Sequence, residues 1–229
     1  MYKYLFFDLD GTLTDSQEGI TKSVSYALIN LGFEDIPFET RKKFIGPPLL
    51  ESFMNFCGMD EDTAKEAVRI YRERYSDVGK FENRPYDGIP ELLKELKEDN
   101  RVSVIASSKP TEFVIDILKK FEMYEYFDII SGADMAGLKA SKEDVIEEAL
   151  KELSLDEDGL KEVVMIGDRH YDIIGAKHFG LDSIGVGYGF AKSKEELIDA
   201  GATYYAETVE DLKNLLFEKN NYQCTETGE

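Results

Sequence analysis

The sequence predicts an α/β protein, a Rossmann-like parallel sheet core with an inserted all-helical domain. Apolar segments of strand length alternate with helical segments over residues 84–219, which is typical of parallel strands joined by right-handed crossovers. One further strand precedes residues 16–83, a stretch that is helical in pattern throughout. We therefore predict a core of residues 1–15 and 84–219, an inserted helical domain of residues 16–83, and a frayed polar tail of residues 220–229.

The first strand is the continuous apolar run Tyr4–Phe7, of the kind expected for a strand buried on both faces. The run ends at Asp8, and Asp10 follows two positions later, so both carboxylates leave the extended chain on the same side. Gly11 then permits a turn. Because ligands in open α/β sheets bind at the carboxyl ends of the strands, Asp8 and Asp10 are candidate site residues.

The inserted segment is divided by glycine and proline into four helical stretches. These predicted helices are Ile20–Leu31, Pro37–Ile45, Leu49–Phe56 and Asp60–Ser76. Gly46 and Pro47, in the loop between the second and third, cannot continue a helix. Proline fixes the backbone of this loop, so we expect Gly46 and Pro47 to present a rigid edge to a substrate.

The remainder of the chain alternates between strands and helices. The predicted strands are Val102–Ala106, Phe127–Ile130, Val163–Ile166, Asp182–Val186 and Thr203–Tyr205. The predicted helices are Ile89–Glu98, Pro110–Phe121, Ser141–Leu153, Asp172–Phe179 and Val209–Lys219. The glycine-rich segment Gly185–Phe190 lacks the spacing of a dinucleotide or Walker loop, and we expect a mobile loop near the site.

Two of these strand ends carry further candidate residues. Ser107 and Ser108 follow the strand Val102–Ala106 and precede a predicted helix, whose free amide groups would make a natural phosphate cradle. After Val163–Ile166 come Gly167 and Asp168, with Asp172 four positions later on the same face of a helix start. Together with Asp8, these carboxylates are hard oxygen ligands of the kind that Mg²⁺ prefers.

A lysine at the start of the acidic helix Ser141–Leu153 is a third candidate. Lys142 lies against the favourable sense of the helix dipole, which indicates a charged partner. Lys139, three residues earlier, is the alternative for the same role.

Composition limits the classes of partner. The chain of 229 residues has 27 basic and 47 acidic residues, a net charge of −20. This charge excludes a nucleic-acid backbone or an anionic membrane as the expected partner, and an anionic substrate would need a cation and local lysines. No apolar run approaches the roughly 18 residues of a membrane span, and we expect no signal peptide before the first strand. The two cysteines form no Cys-x-x-Cys motif, so we expect reduced thiols and a cytoplasmic location.

These candidate residues, in their order along the chain, resemble the four motifs of the haloacid dehalogenase superfamily, the aspartate-nucleophile phosphatases. The matching residues are Asp8 with Asp10, Ser107, Lys142, and Asp168 with Asp172. The helical insert resembles the helical cap of the family, and Phe44–Leu49 and Gly-Asp-Arg-x-x-Asp are similar to its phosphoglycolate-phosphatase-like branch, which includes 5′-nucleotidases. The chain departs from that branch at Tyr171, where histidine is frequent. Ser-Lys-x-Asp-Val-Ile favours Lys142 over Lys139 for the third motif.

The resemblance implies a Mg²⁺-dependent phosphatase acting on a small phosphorylated metabolite. It implies that Asp8 is the nucleophile and that Asp10 is the general acid and base. Ser107 and Lys142 would contact the phosphoryl oxygens, and Asp8, Asp10 and Asp168 would hold the metal. Asp172 would orient Lys142 or a metal-bound water. The aspartate two residues after the nucleophile argues against the dehalogenase and P-type ATPase branches. A phosphosugar mutase and a non-catalytic binding protein remain alternatives. The leaving group (nucleotide, phosphoglycolate or sugar phosphate) and the state as monomer or homodimer stay open.

Overall fold

The structure is a computed structural model that describes residues 1–135, 139 and 141–217. The predicted tail, residues 220–229, and the predicted helix end at Lys219 lie outside the described residues. The chain divides into two compact units. One contains Met1–Leu13 and the residues from Pro85 onward, and the other contains Thr14–Arg84.

The larger unit is built on a six-stranded sheet in the order β5-β4-β1-β6-β7-β8, and its strand pairs are parallel. The strands of the chain are β1 Tyr4–Phe7, β2 Thr14–Asp15, β3 Arg84–Pro85, β4 Val102–Pro110, β5 Ile129–Ala133, β6 Val163–Gly167, β7 Asp182–Val186 and β8 Tyr204–Ala206. This is the doubly wound order, in which the chain reverses direction across the sheet between β1 and β6. The predicted fold class is confirmed.

Helices cover both faces of the sheet. The helices of the chain are α1 Gln17–Asn30, α2 Phe38–Arg41, α3 Leu49–Cys57, α4 Glu61–Asp77, α5 Ile89–Glu98, α6 Thr111–Lys120, α7 Lys142–Leu153, α8 Glu157–Leu160, α9 His170–His178, α10 Lys194–Ala200 and α11 Val209–Phe217. Leu5 and Phe7 point to a core shared with α5, α6 and α11. Phe6 points to a second core shared with α7 and α9. Strand β1 is therefore apolar at every position, because both of its faces are buried.

The smaller unit is helical. Its segment begins with β2 and ends with β3, which pair as a two-stranded sheet, and Arg84 lies 2.9 Å from Asp15. Phe44 packs edge-on against Phe53 with ring centroids 5.0 Å apart. A Cβ at Gly19 would overlap the carbonyl oxygen of Gly79, so glycine is required where these two segments meet.

Several elements differ from the sequence prediction. Strand β4 runs on to Pro110, whereas we predicted that it ends at Ala106 and that a helix begins at Pro110. Pro110 has the extended conformation φ −53°, ψ 132°, and the residue before a proline is biased to extended backbone as well. Helices α8 and α10 and the two-residue strands β2 and β3 were not predicted. Within the described residues, no helix combines the length and apolarity needed to cross a membrane.

Candidate active site

The carboxyl end of β1 places Asp8 and Asp10 at the reversal of the sheet. The Asp8 amide donates to the carbonyl of Ile166 at 3.0 Å, which continues the strand pairing by one residue. The Leu9 amide donates to Asp8 Oδ1 at 2.7 Å, and the chain then turns at Gly11, which has a φ of +87°. Asp8 and Asp10 are 3% and 8% exposed. Both carboxylates are thus buried at the end of a central strand.

Lys142, the first residue of α7, reaches across to this strand end. Its Nζ lies 2.8 Å from Asp8 Oδ1 and 2.7 Å from Asp172 Oδ1, and it donates to the carbonyl of Ala106 at 3.0 Å. Burial alone would lower the pKa of this ammonium, but the carboxylates of Asp172 and Asp8 raise it above its ordinary value. Lys142 is therefore a fixed positive charge between two aspartates. Lys139 is exposed on the chain segment before it.

The carboxyl end of β6 delivers Asp168 and the start of α9. Both Asp168 and Asp172 are fully buried. Asp172 Oδ2 accepts the Arg169 amide at 3.0 Å, and Asp168 Oδ2 accepts the Phe190 amide at 2.6 Å. A Cβ at Gly167 would overlap the Asp172 side chain. These backbone contacts fix one oxygen of each carboxylate.

Asp8, Asp168 and Asp172 form a cluster whose carboxylate oxygens lie within 4.8 Å of one another. Burial raises the pKa of Asp168 well above its usual range, and the charges of Asp172 and Asp8 raise it further. Burial also raises the pKa of Asp172, to about 6, against the lowering effect of Lys142. Asp168 Oδ1 is buried without a hydrogen-bond donor among the described residues. This set of oxygen donors fits a hard divalent cation such as Mg²⁺.

Asp10 is not part of that cluster, because its side chain pairs with another lysine. Lys109 Nζ lies 2.8 Å from Asp10 Oδ2, and the two side chains are 6% and 10% exposed. Lys109 is not among the candidate residues that the sequence indicated, and it lies directly before the helix predicted to begin at Pro110. The available signal was a lysine two residues beyond a strand-end serine, directly before proline.

Ser107 and Ser108 lie within β4, and α6 begins only at Thr111, so neither serine directly precedes the helix as we predicted. Ser107 is 2% exposed, and its Oγ accepts the Lys109 amide at 3.4 Å. Ser108 is half-buried. Both stay near the end of the strand beside β1, but the backbone that carries them is extended.

The glycine-rich segment after β7 packs onto the site. Besides the bond from the Phe190 amide to Asp168, the Tyr188 hydroxyl donates to the carbonyl of Thr12 at 3.1 Å. A Cβ at Gly189 would overlap the Gly11 carbonyl oxygen and the Asp168 side chain. We expected this segment to be mobile; its contacts instead fix the orientation of Asp168.

Helix α10 supports the loop that follows Asp168. Glu196 Oε1 lies 3.1 Å from Arg169 Nε and 2.9 Å from His170 Nδ1. Burial would raise the pKa of Glu196, but hydrogen bonds from His170, from the Lys192 amide and from Arg169 lower it to about 2. His170 and Arg169 thus have a structural partner outside the aspartate cluster.

Gly46 and Pro47 belong to the helical unit, between a short 3₁₀ turn at Lys42–Phe44 and α3. Gly46 has a φ of +103°, a backbone conformation that favours glycine. Pro48 precedes the first residue of α3 with an extended ψ of 132°. The loop is therefore conformationally restricted, as two consecutive prolines predict.

Comparisons with known proteins agree with this geometry. The family described as haloacid dehalogenase-like hydrolase matches residues 5–186. A 5′-nucleotidase of Pseudomonas aeruginosa is 43% identical over 94% of this chain and 96% of its own length. The tyrosine-protein kinase PtkA of Mycobacterium tuberculosis is 35% identical over 93% of this chain and 72% of its own length.

A solved structure extends the similarity to the whole fold. The crystal structure of a predicted phosphatase from Clostridium acetobutylicum shares 47% identity and superposes with a TM-score of 0.89, over 95% of this chain and 99% of that one. The range that the family matches includes Asp8, Asp10, Lys142, Asp168 and Asp172. The chain therefore belongs to the haloacid dehalogenase-like hydrolase family and is one of its phosphatases.

Proposed function

We propose that this protein is a Mg²⁺-dependent phosphatase that hydrolyses nucleoside 5′-monophosphates through an aspartyl-phosphate on Asp8. The observation that carries the proposal is the pairing of two buried aspartates, two residues apart, with two separate lysines. Asp8 pairs with Lys142 and Asp10 pairs with Lys109. The two carboxylates therefore have different surroundings, which suits two different chemical roles.

In the first step Asp8 acts as the nucleophile. A carboxylate oxygen of Asp8 bonds to phosphorus as the bond from phosphorus to the ester oxygen breaks. Lys142 and the Leu9 amide, which hold Asp8 Oδ1, orient the carboxylate for this attack. Ser107, buried at the end of the neighbouring strand, would donate its hydroxyl hydrogen to a phosphoryl oxygen.

Asp10 supplies and removes the proton. Its carboxylic acid gives a proton to the departing alkoxide, and the alcohol leaves. The resulting carboxylate then takes a proton from a water molecule as the water oxygen bonds to phosphorus and the bond from phosphorus to Asp8 breaks. Inorganic phosphate leaves, and both aspartates return to their initial states.

Charge balance supports a divalent cation in the resting site. The charged groups buried at the site are the four carboxylates of Asp8, Asp10, Asp168 and Asp172 and the two ammonium groups of Lys109 and Lys142. With all four carboxylates ionised the excess is two negative charges, and with Asp10 protonated for the first step it is one. We propose that the Asp8 and Asp168 carboxylates and the Asp10 carbonyl hold Mg²⁺, with Asp172 behind them holding Lys142. The bound cation would neutralise charge that develops on the phosphoryl group.

We assign the substrate class from a similar protein, and we assign its selection to the inserted helical unit. The Pseudomonas aeruginosa relative named a 5′-nucleotidase is matched over 96% of its length, which supports nucleoside 5′-monophosphates over phosphoglycolate or sugar phosphates. We propose that the helical unit, Thr14–Arg84, acts as a cap and that Gly46 and Pro47 contact the part of the substrate beyond the phosphoryl group.

A phosphate-release screen tests the proposal. Nucleoside 5′-monophosphates, phosphoglycolate, sugar phosphates and ATP are assayed with Mg²⁺ and again with excess EDTA. We expect the highest kcat/KM for a nucleoside 5′-monophosphate, no turnover with EDTA, and no turnover by an Asp8→Asn variant. Full activity with EDTA would contradict the cation, and preferred transfer from ATP to a tyrosine peptide would favour a kinase, as the relative PtkA is named.

A further inference from the structure

Lys109 lies on an irregular stretch of β4 that directs its side chain to Asp10. In the pairing of β4 with β5, Ser107 lies opposite Gly132 and Pro110 lies opposite Ala133. Strand β4 therefore has two more residues than β5 over this stretch. Such bulges occur beside active sites, where they change the direction of a side chain, and they are rare between parallel strands.

The surrounding chain fits this irregular backbone. A Cβ at Gly132 would lie 2.8 Å from the Lys109 carbonyl oxygen and 2.8 Å from Thr111 Oγ1, so only glycine leaves room for the bulge. The Lys109 amide donates to Ser107 Oγ at 3.4 Å. Pro110 fixes its own φ immediately afterwards. Both neighbours thus define the path of the backbone at Lys109.

The pair that results is not explained by stability. Lys109 and Asp10 are both 8% exposed, and removing two charges from water commonly costs more than their attraction returns. The contact occupies Asp10 Oδ2. Asp10 Oδ1 is buried and has no hydrogen-bond donor within residues 1–135, 139 and 141–217. One oxygen of Asp10 is held by Lys109, and the other has no donor among the described residues.

We propose that Lys109 is a positioning residue for Asp10. By holding Oδ2 it presents Oδ1 to the leaving-group oxygen in the first step and to water in the second. Oδ1 gives its proton to the alkoxide as the phosphorus–oxygen bond breaks, and takes one from water as the new bond forms. Lys109 transfers no proton itself. This inference rests on the proposed function, because it requires Asp10 to act as acid and base.

The test compares Lys109→Met, which keeps the length of the side chain, with Lys120→Met, which changes an exposed lysine at the end of α6. Both variants are assayed with a nucleoside 5′-monophosphate and with p-nitrophenyl phosphate, whose leaving group needs little protonation. The rate of alcohol release in a single turnover reports the first step alone, and for Lys109→Met we expect it to fall about 100-fold on the nucleotide and tenfold or less on p-nitrophenyl phosphate, with KM little changed. Lys120→Met should match the wild type.

Combination with Asp10→Asn adds a second test. If Lys109 acts through Asp10, adding Lys109→Met to Asp10→Asn should change kcat on the nucleotide by no more than about twofold. Equal losses on both substrates, or losses that multiply in the double variant, would overturn the proposal. A raised KM with unchanged kcat would also overturn it, since Lys109 would then bind the substrate phosphate. If Lys109→Met does not fold, Lys109→Gln gives the same comparison.

The outcomes separate this inference from the proposed function. A wild-type protein that hydrolyses both substrates only when Asp8 is intact, combined with equal losses in Lys109→Met, contradicts the role of Lys109 alone. A wild-type protein that hydrolyses neither substrate contradicts the proposed function, and the positioning role with it.

Discussion

At the scale of single residues, the site depends on how buried charges are paired. Lys142 contacts two aspartates, Asp8 at 2.8 Å and Asp172 at 2.7 Å, and its side chain is 4% exposed. Lys139, in contrast, is exposed. A buried charge that loses its partner costs far more than an exposed one, because water cannot replace the lost contact.

The two lysines therefore give a matched pair of substitutions. Lys142→Ala should lower kcat/KM on p-nitrophenyl phosphate by about 100-fold or more, the usual effect of losing a preorganised charge at a reacting group. Lys139→Ala should change it by about twofold or less, as expected of a surface substitution. Steady-state kinetics on variants shown by thermal melting to be folded measure the difference. A larger loss in Lys139→Ala would show that the third motif was assigned to the wrong lysine.

Most residues of the candidate site could be predicted because their signals are local. Asp8 and Asp10 follow an apolar strand directly, and Asp168 and Asp172 follow another at fixed spacing. Lys109 could not be predicted in the same way. Its contact with Asp10 depends on the bulge opposite Gly132, which is a property of two paired strands and leaves no periodic pattern in either one.

At the scale of secondary structure elements, helix starts hold the charged side chains in place. The Ser141 hydroxyl accepts the Asp144 amide at 3.1 Å, and Asp144 Oδ2 accepts the Ser141 amide at 3.2 Å. The start of α11 has the same arrangement, with Thr208 and Asp211 in these roles. Only the first of these capping boxes is followed by a lysine of the candidate site, Lys142.

Removal of each cap tests whether the start of α7 positions Lys142. Ser141→Ala and Thr208→Ala should each lower the free energy of unfolding by about 1 kcal/mol. Ser141→Ala should in addition lower kcat/KM by about fivefold, since Lys142 is the first residue of that helix. Thr208→Ala should leave kcat/KM at the wild-type value. Equal kinetics in the two variants would mean that the cap contributes to stability alone.

The glycine-rich segment after β7 gives a prediction about metal affinity. An Ala at position 189 has no room beside the Gly11 carbonyl and Asp168, so Gly189→Ala should displace the Asp168 carboxylate. We expect Mg²⁺ affinity, measured by calorimetry, to fall about tenfold or more. Gly180→Ala is the control, because its Cβ would meet nothing within 4 Å among the described residues. Unchanged Mg²⁺ affinity in Gly189→Ala would show that this segment does not position Asp168 for Mg²⁺ binding.

Helices and strands were predicted accurately where their apolar residues form a clear pattern, and they were missed where few apolar residues are buried. The strand Val163–Ile166 and the helix Ile89–Glu98 agree with the observed β6 and α5. Helix α10 has only seven residues with Leu197 buried, too few to form a periodic pattern. Its available signals were the serine before its first residue and Gly201 in the left-handed conformation after its last.

At the scale of the whole molecule, the chain contains two compact units with different tasks in our proposal. The α/β unit carries the residues that act on the phosphoryl group, which every substrate shares. Selection among substrates then falls to the helical unit, Thr14–Arg84. The net charge of −20 repels anionic substrates at long range, so binding must depend on cations held locally.

Substitutions in the loop at Gly46 test this division. Pro47→Ala and Gly46→Ala should change the ratios of kcat/KM between natural phosphate esters by about tenfold, or about 1.4 kcal/mol. The hydrolysis of p-nitrophenyl phosphate should change less. Gly58→Ala is a control in the same unit, since Gly58 also has a positive φ, of +66°. One common factor of loss for all substrates would show that the loop does not select among them.

The central claim is a phosphoryl group carried by Asp8, and it can be observed directly. In Asp10→Asn the second step should be slow while p-nitrophenyl phosphate, with its good leaving group, still drives the first, so the intermediate should accumulate. Rapid acid quenching preserves the acyl phosphate, and borohydride then reduces it to homoserine. Peptide mass spectrometry locates the homoserine in the chain. We expect homoserine at position 8. Release of p-nitrophenol with no homoserine in the chain, or with homoserine at another position, would contradict the account.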